Sequence, residues 1–240
     1  MTSHKLIAFA LFSMILVSCN KEEKPKVIYE NKVDQQEVEY QKIDSTEIKI
    51  ADLPIHITGT NYIVHPIGDV RVYNSSSGKS GSSKTNRISY TISNYSYPEI
   101  TGYLNNLMFQ HKDSLSMHSL TDNRMQINTV TYLDKLSNPD KKILVYTLVD
   151  KDTNRDGKYD SNDIQSLYIS NIDGSKFTKL TEELHELVDW NVIDVKNRLY
   201  FRSIEDINKN GAFDSDDSIN YFYVDLLSDD WKPQPYNPMQ

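Results

Sequence analysis

Two acidic stretches near the C-terminal end organise the chain: Asp152-Thr-Asn154-Arg-Asp156-Gly157-Lys-Tyr-Asp160-Ser-Asn-Asp163 and Asp206-Ile-Asn208-Lys-Asn210-Gly211-Ala-Phe-Asp214-Ser-Asp-Asp217. They begin 54 residues apart (206 − 152) and carry oxygen-bearing side chains at positions 1, 3, 5, 9 and 12, with glycine at position 6. Ca²⁺ takes about six to eight oxygen ligands, and glycine allows the sharp turn that position 6 requires. The spacing therefore predicts two calcium-binding loops rather than two polar surface turns.

The two loops differ in charge. In loop 1 (residues 150–163) the candidate ligands are four carboxylates, one amide oxygen and one backbone carbonyl, from Asp152, Asp156, Asp160, Asp163, Asn154 and Lys158. In loop 2 (residues 204–217) they are three carboxylates, two amide oxygens and one backbone carbonyl, from Asp206, Asp214, Asp217, Asn208, Asn210 and Ala212. Affinity rises with ligand charge, so we expect the second site to bind Ca²⁺ more weakly. Position 12 is the short Asp in both loops, which leaves open whether it binds directly, through water or not at all.

The repeat extends beyond the loops into the residues on either side. Val145-Tyr146 precedes the first loop as Leu199-Tyr200 precedes the second, and Leu167-Tyr168-Ile169 follows the first as Tyr221-Phe222-Tyr223 follows the second. β-Branched and aromatic residues of this kind favour strands. An EF-hand calcium loop has helices on both sides, so the strand-like flanks disfavour an EF-hand pair. The repeated unit is predicted to be strand, loop, strand, with calcium in a structural role.

Strand patterns dominate the rest of residues 49–240. Ile88, Tyr90 and Ile92 alternate with polar residues, Met125 to Tyr132 is a Thr-rich extended run, and Ile143 to Val149 is continuously apolar. Thr181 to Trp190 fits a helix and an extended segment equally well, because Leu184, Leu187 and Val188 would share one helical face. We predict one all-β domain over residues 49–240.

The N-terminal residues have the features of a secretory signal. Residues 6–17 are apolar, a run too short to span a bilayer. Leu16-Val17-Ser18-Cys19 resembles the bacterial lipobox, which implies removal of residues 1–18 and acylation of Cys19, the only cysteine in the chain. Residues 19–48 are rich in charged and amide side chains, which predicts a flexible tether.

The residues after Cys19 bear on localisation. Asn20 resembles the residue that sends lipoproteins to the outer membrane, and Lys21-Glu22-Glu23-Lys24 is similar to the acidic export tag of surface lipoproteins of the Bacteroidota. These resemblances imply a lipid anchor in the outer membrane, with the domain on its periplasmic or cell-surface face. The net charge of −8 argues against nucleic acid as a partner.

Two resemblances suggest the architecture. The loops resemble the Asp-x-Asp/Asn-x-Asp-Gly-x-x-Asp turns between strands of integrin-type β-propellers, and the pattern falls on Asp152, Asn154, Asp156, Asp160, Asp206, Asn208, Asn210 and Asp214. The run from Leu167 to Thr181, with its Asp173-Gly174 turn, is similar to a blade of TolB/WD40-like propellers. At roughly 40–45 residues per blade the domain holds about four. A small or incomplete propeller and a β-sandwich both stay open.

Catalytic motifs are missing from the sequence. It has no His-Glu-x-x-His motif, no nucleophile elbow, and no cysteine beyond the predicted lipidation site. Carboxylate pairs for glycoside cleavage stay open, because such residues come from distant parts of a fold. We expect a lipid-anchored, calcium-binding envelope protein that acts as a binding or scaffold module for a protein or glycan ligand. The alternative is a surface glycan-processing enzyme with a calcium-stabilised, propeller-like fold.

Overall fold

A computed structural model describes residues 25–29, 49–74 and 86–239, with the backbone alone at 71–74 and 86–89. The predicted signal segment and Cys19 lie outside these ranges, as does most of the predicted tether. The strands in chain order are β1 (Lys49–Ala51), β2 (Ile55–His56), β3 (Tyr62–Asp69), β4 (Arg71–Asn74), β5 (Asn86–Ser89), β6 (Ser93–Ser96), β7 (Glu99–His111), β8 (Met117–Ser119), β9 (Gln126–Leu133), β10 (Ile143–Val149), β11 (Ser166–Asn171), β12 (Thr178–Lys179), β13 (His185–Ile193), β14 (Arg198–Glu205), β15 (Ser218–Asp225) and β16 (Gln234–Pro235).

The described part of the chain is all-β, which confirms the predicted class. Its single helical element is a 3-10 turn at Asp194–Lys196, and no helix in the described ranges is long and apolar enough to cross a membrane. Ten strands form one antiparallel sheet along the path β1-β3-β7-β9-β10-β11-β12, with β2, β6 and β8 paired at its sides. Four strands form a second sheet, β13-β14-β15-β16, and β4 and β5 form a hairpin.

Strand β10 is buried along its whole length, as its continuous apolar sequence suggests. Leu144, Tyr146 and Leu148 belong to a core shared with β7 and β9, whereas Ile143 and Val145 belong to a second core shared with β14 and β15. Successive side chains of a strand point to opposite faces. The strand therefore lies between two packed layers, and polar residues at any of its seven positions would be desolvated.

Two four-stranded meanders pack against each other through the second core. One is β9-β10-β11-β12 and the other is β13-β14-β15-β16, and each continues antiparallel from strand to strand. Leu167 and Ile169 of β11 join Leu199, Phe201 and Phe222 of the C-terminal sheet in this core. Each acidic loop joins the second strand of its meander to the third. The predicted unit of strand, loop and strand is thus present twice.

The segment from Thr181 to Trp190, whose sequence fits a helix and an extended segment equally well, contains no helix. Its second half forms β13, and the pairing of β13 with β14 shifts by one residue between Leu187 and Asp189. Ordinary strand alternation buries Leu187 and exposes Val188, and the bulge then leaves Asp189 exposed as well. Leu184 precedes the strand with a positive φ of 61° and is exposed. The three apolar residues therefore share no buried face.

Asp52 joins the first strand to β6. Its carboxylate accepts hydrogen bonds from the Ser93 hydroxyl (2.8 Å) and from the backbone N–H groups of Ser93 (3.0 Å), Ile92 (3.2 Å) and Leu53 (2.9 Å). Burial opposes ionisation of this carboxyl, but the four donors outweigh it and hold its pKa below the usual value. These bonds fix the position of β6 at the edge of β7.

We predict that Asp52→Asn lowers the free energy of unfolding at pH 7 by about 1–2 kcal/mol, since charge-assisted bonds become neutral ones. Folding lowers this pKa, so its contribution to stability is present above the unfolded pKa of about 3.9 and is lost as the pH falls through the folded value. Urea titrations at pH 7 and pH 3 measure the difference. It should shrink at pH 3. Exposed Asp140, changed to Asn, is the control and should cost under about 0.5 kcal/mol.

Candidate metal centres

The two acidic loops have the same backbone conformation. Positions 4 and 6 both take positive φ, with Arg155 at 59° and Gly157 at 83° in loop 1, and Lys209 at 57° and Gly211 at 82° in loop 2. The role predicted for glycine at position 6 agrees with these angles. A non-glycine residue in this conformation costs roughly 1–2 kcal/mol. The hydrogen bonds of the loop must therefore hold position 4 in place.

In loop 1 the side-chain oxygens turn inward onto backbone N–H groups. Asp152 accepts from Asp156 (3.1 Å) with Oδ1 and from Gly157 (2.8 Å) with Oδ2. Asn154 Oδ1 accepts from the same Asp156 N–H at 2.9 Å, and Asp156 Oδ1 accepts from Lys158 at 2.9 Å. The oxygens of positions 1 and 3 therefore converge on one amide. This convergence is the geometry on which a cation site at this turn depends.

Loop 2 repeats this arrangement bond for bond. Asp206 accepts from Asn210 (3.2 Å) with Oδ1 and from Gly211 (2.7 Å) with Oδ2, and Asn208 Oδ1 accepts from Asn210 at 2.8 Å. Asn210 Oδ1 accepts from Ala212 at 2.7 Å, as position 5 does in loop 1. Asn210 also donates from Nδ2 to Asp214 Oδ2 at 3.4 Å. Positions 5 and 9 are thus neighbours, with an amide where loop 1 has a carboxylate.

Position 9 is held in the same way in both loops. Asp160 Oδ1 accepts from the N–H of Asn162 at 2.8 Å, and Asp214 Oδ1 accepts from the N–H of Asp216 at 2.9 Å. Lys158 and Ala212, the predicted carbonyl ligands, lie at position 7, where their N–H groups bind the side chain of position 5.

The aspartates at position 12 connect the beginning and the end of each loop through hydrogen bonds. Both oxygens of Asp163 accept N–H groups, Oδ1 from Thr153 (2.8 Å) and Asn154 (3.2 Å), and Oδ2 from Asp160 (3.1 Å). Asp163 is 1% exposed, and burial raises the pKa of its carboxyl even though these donors oppose the shift. Asp217 accepts from Ile207 (3.1 Å) and Asp214 (3.0 Å) and is half-buried. These contacts assign position 12 to loop closure.

The donor set suits a hard divalent cation, although no carboxylate cluster is preformed. Within the described ranges, no three His, Cys, Asp or Glu side chains are gathered so that they could hold a metal ion. The oxygens that do converge are one carboxylate and one amide in each loop, Asp152 with Asn154 and Asp206 with Asn208. An ionised carboxylate offers about four lone-pair sites, so one N–H bond to each oxygen leaves capacity for a ligand bond.

A polar network below loop 1 was not predicted from the sequence. Partly buried Asp150 accepts hydrogen bonds from Lys179 (2.7 Å), Tyr168 (2.8 Å) and Ser166 (3.2 Å). Burial opposes its ionisation, but these donors, Lys179 foremost, hold its pKa below the usual value. Ile204 occupies the position before loop 2 that Asp150 occupies before loop 1. In the described part of the chain, loop 2 therefore has no counterpart of the Asp150–Lys179 ion pair. The members of this network come from three strands or their ends, and no local motif connects them.

Residues 25–29 also contact the loops, although they fall within the predicted tether. The Lys26 and Val27 N–H groups donate to the Gly211 carbonyl at 2.7 and 3.2 Å, and the Ile28 N–H donates to the Thr153 carbonyl at 2.9 Å. The only sequence signal for this docking is the apolar run Val27-Ile28-Tyr29 in a polar stretch.

No protein-family model matches the sequence, and no curated protein matches it.

We predict that Asp163→Ala destabilises the protein more than Asp217→Ala, in chelator as well as in Ca²⁺. Removal of the buried Asp163 leaves the buried N–H of Thr153 unpaired and should cost about 2–3 kcal/mol, whereas water can replace Asp217 at a cost of roughly 1 kcal/mol. Urea denaturation of both variants measures this difference. Equal losses would contradict the role of Asp163 in loop closure.

Proposed function

We propose that this protein is a lipid-anchored, calcium-binding protein of the bacterial envelope that acts as a binding or scaffold module. The observation that carries the proposal is the second copy of the loop. The two acidic turns have the same positive-φ positions, and the side-chain oxygens of positions 1, 3, 5 and 9 accept the same backbone N–H groups in both. Repetition of one acidic loop at the same place in both meanders supports a common ligand for the two loops.

Calcium is proposed as a structural ion in these loops. Each loop joins two neighbouring strands of one meander, so a cation held by positions 1, 3 and 5 would fix the connection between them. In loop 1 the residues proposed to hold it are Asp152, Asn154, Asp156 and Asp160 with the Lys158 carbonyl. In loop 2 they are Asp206, Asn208, Asn210 and Asp214 with the Ala212 carbonyl. The carboxylates within one loop repel each other, and a bound cation offsets that repulsion.

For the finer architecture we propose a small or incomplete propeller-like repeat. Two consecutive four-stranded antiparallel meanders, stacked face to face and carrying the same loop between the same strands, are what adjacent blades would look like. A two-sheet sandwich also stacks sheets face to face. It does not call for the same loop at the same place in both sheets, so the repeat favours the propeller-like alternative.

The anchor is proposed from the sequence. The lipobox-like Leu16-Val17-Ser18-Cys19 would attach the chain to the outer membrane through acylated Cys19, with the domain on the periplasmic or cell-surface face. In either place the loops would meet extracellular concentrations of Ca²⁺, at which sites of moderate affinity are filled.

We predict that the purified chain binds two Ca²⁺ ions, loop 1 more tightly than loop 2. At a free concentration 100 times the dissociation constant, one site stabilises the fold by about 2.7 kcal/mol, and its melting temperature should rise by about 5–10 °C. Calorimetric titration and thermal melts with Ca²⁺ and with chelator test both points. Identical melting temperatures in Ca²⁺ and in chelator, together with no heat of Ca²⁺ binding, would contradict the proposal.

Exchange at position 5 provides matched controls. Asp156→Asn should weaken loop 1 and Asn210→Asp should strengthen loop 2, each by roughly tenfold or about 1.4 kcal/mol. Both substitutions keep the acceptor for the N–H of position 7. In chelator, Asn210→Asp should destabilise the fold, because its amide now donates to Asp214 and a carboxylate would repel it.

A second candidate is a surface glycan-processing enzyme, and one observation favours it. A surface cleft of about 510 Å³ beside the C-terminal sheet has Glu182, Glu205 and His185 among its lining residues. His185 Nε2 lies 3.6 Å from a carboxylate oxygen of Glu182. Glycosidases place two carboxyl groups on either side of the bond that they cleave.

This candidate predicts that the chain releases reducing sugars from bacterial envelope polysaccharides, and that Glu182→Gln and Glu205→Gln each reduce the rate by at least about 100-fold. Glu99→Gln, away from the cleft, is the control and should keep the full rate. A wild-type chain that is inert toward the polysaccharides, or glutamine variants as active as the wild type, would rule the enzyme out and leave the binding module.

A further inference from the structure

Residues 25–29 bind the two loops as a peptide binds a receptor. Two N–H groups of the segment share the Gly211 carbonyl of loop 2, and a third donates to the Thr153 carbonyl of loop 1. In return, the Thr153 hydroxyl donates to the Lys26 carbonyl at 2.7 Å. Many domains bind peptides through main-chain hydrogen bonds of this kind.

Three side chains add specificity to these backbone contacts. Val27 is 4% exposed and is the apolar anchor of the segment. The Lys26 ammonium pairs with Glu186 at 2.8 Å, and the other oxygen of that carboxylate accepts the N–H of Gln165 at 3.0 Å. The Tyr29 hydroxyl donates to Asp206 Oδ2 at 2.9 Å.

Gly211 leaves the space that the docked segment fills. A Cβ at this position would lie 2.3 Å from the Val27 carbonyl oxygen and 2.7 Å from Pro25 Cβ. Gly157, at the same position of loop 1 and with the same positive φ, is exposed. The turn requires glycine in both loops, but in loop 2 the space above the glycine is filled by the segment.

We propose that the two acidic loops together form a binding site for a peptide of the pattern Pro-Lys-Val-x-Tyr, and that residues 25–29 occupy it in cis. The contacts that define the site are those to Thr153, Gly211, Glu186 and Asp206, and the first three involve no atom that is proposed to bind a cation. Because the segment belongs to the same chain, it competes with any free peptide at an effective concentration on the order of millimolar. The site is therefore closed to other peptides until the segment leaves.

The test uses the full chain, purified in detergent, and a fluorescent synthetic peptide of residues 22–31. In Val27→Asp the segment loses its buried anchor and leaves the site, so the peptide should bind this variant at least tenfold more tightly than the wild type by fluorescence anisotropy. Leu53→Asp, at a side chain that is 81% exposed, is the matched control and should bind like the wild type. A peptide carrying Asp in place of its own valine should not bind.

Two further variants locate the site. Adding Gly211→Ala to Val27→Asp should abolish binding of the peptide, whereas adding Gly157→Ala, which strains loop 1 in the same way, should leave it intact. Equal binding to wild type and Val27→Asp, no binding to a folded Val27→Asp chain, or binding that survives Gly211→Ala would each overturn the proposal.

Amide hydrogen exchange of the wild type tests the docking without any substitution. The N–H groups of Lys26, Val27 and Ile28 should exchange at least tenfold more slowly than those of an unstructured peptide of the same sequence. Exchange at the unstructured rate would overturn the cis occupancy.

Discussion

Burial of both faces of β10 is the constraint on which the rest of the structure depends. Each of its large apolar side chains contributes about 1.5–3 kcal/mol when it leaves water, and the strand supplies them to two cores at once. Its neighbour β11 brings Leu167 and Ile169 to the same face as Ile143 and Val145. The packing of these residues against β14 and β15 sets the two meanders face to face. It therefore also determines where the two acidic loops stand relative to each other.

The loops themselves were predictable because their determinants are local. Positions 1, 3, 5 and 6 of each turn lie within six consecutive residues of the sequence. Glycine at position 6 is informative because it readily adopts the positive φ that the turn requires. The strands beside them, such as Ile143–Val149, were predictable from composition. The propeller-like arrangement, by contrast, was predicted from a resemblance. The structure shows an all-β fold with a repeated meander.

What sequence reasoning missed is non-local. Lys26 and Glu186 are separated by 160 residues, and Asp150 meets Lys179 through the pairing of strands, so neither contact leaves a periodic pattern. The bulge in β13 was missed for another reason. One extra residue at Val188 places Leu187 and Trp190, three positions apart, on the same side of the strand, a spacing that also fits a helix. The hydrogen bonds of the position 12 carboxylates to backbone amides were not predicted, and whether these residues bind calcium stays open.

The docking of residues 25–29 has a consequence for how far the domain stands from the membrane. With Cys19 acylated, as proposed, six residues (25 − 19) join the lipid to the docked segment, a reach of at most about 20 Å. The edge of the domain that carries the acidic loops would then face the lipid headgroups. Once undocked, the leash would run 30 residues (49 − 19) to β1 and reach about 100 Å. The same five residues would thus decide whether the domain is held against the membrane or ranges over the space above it.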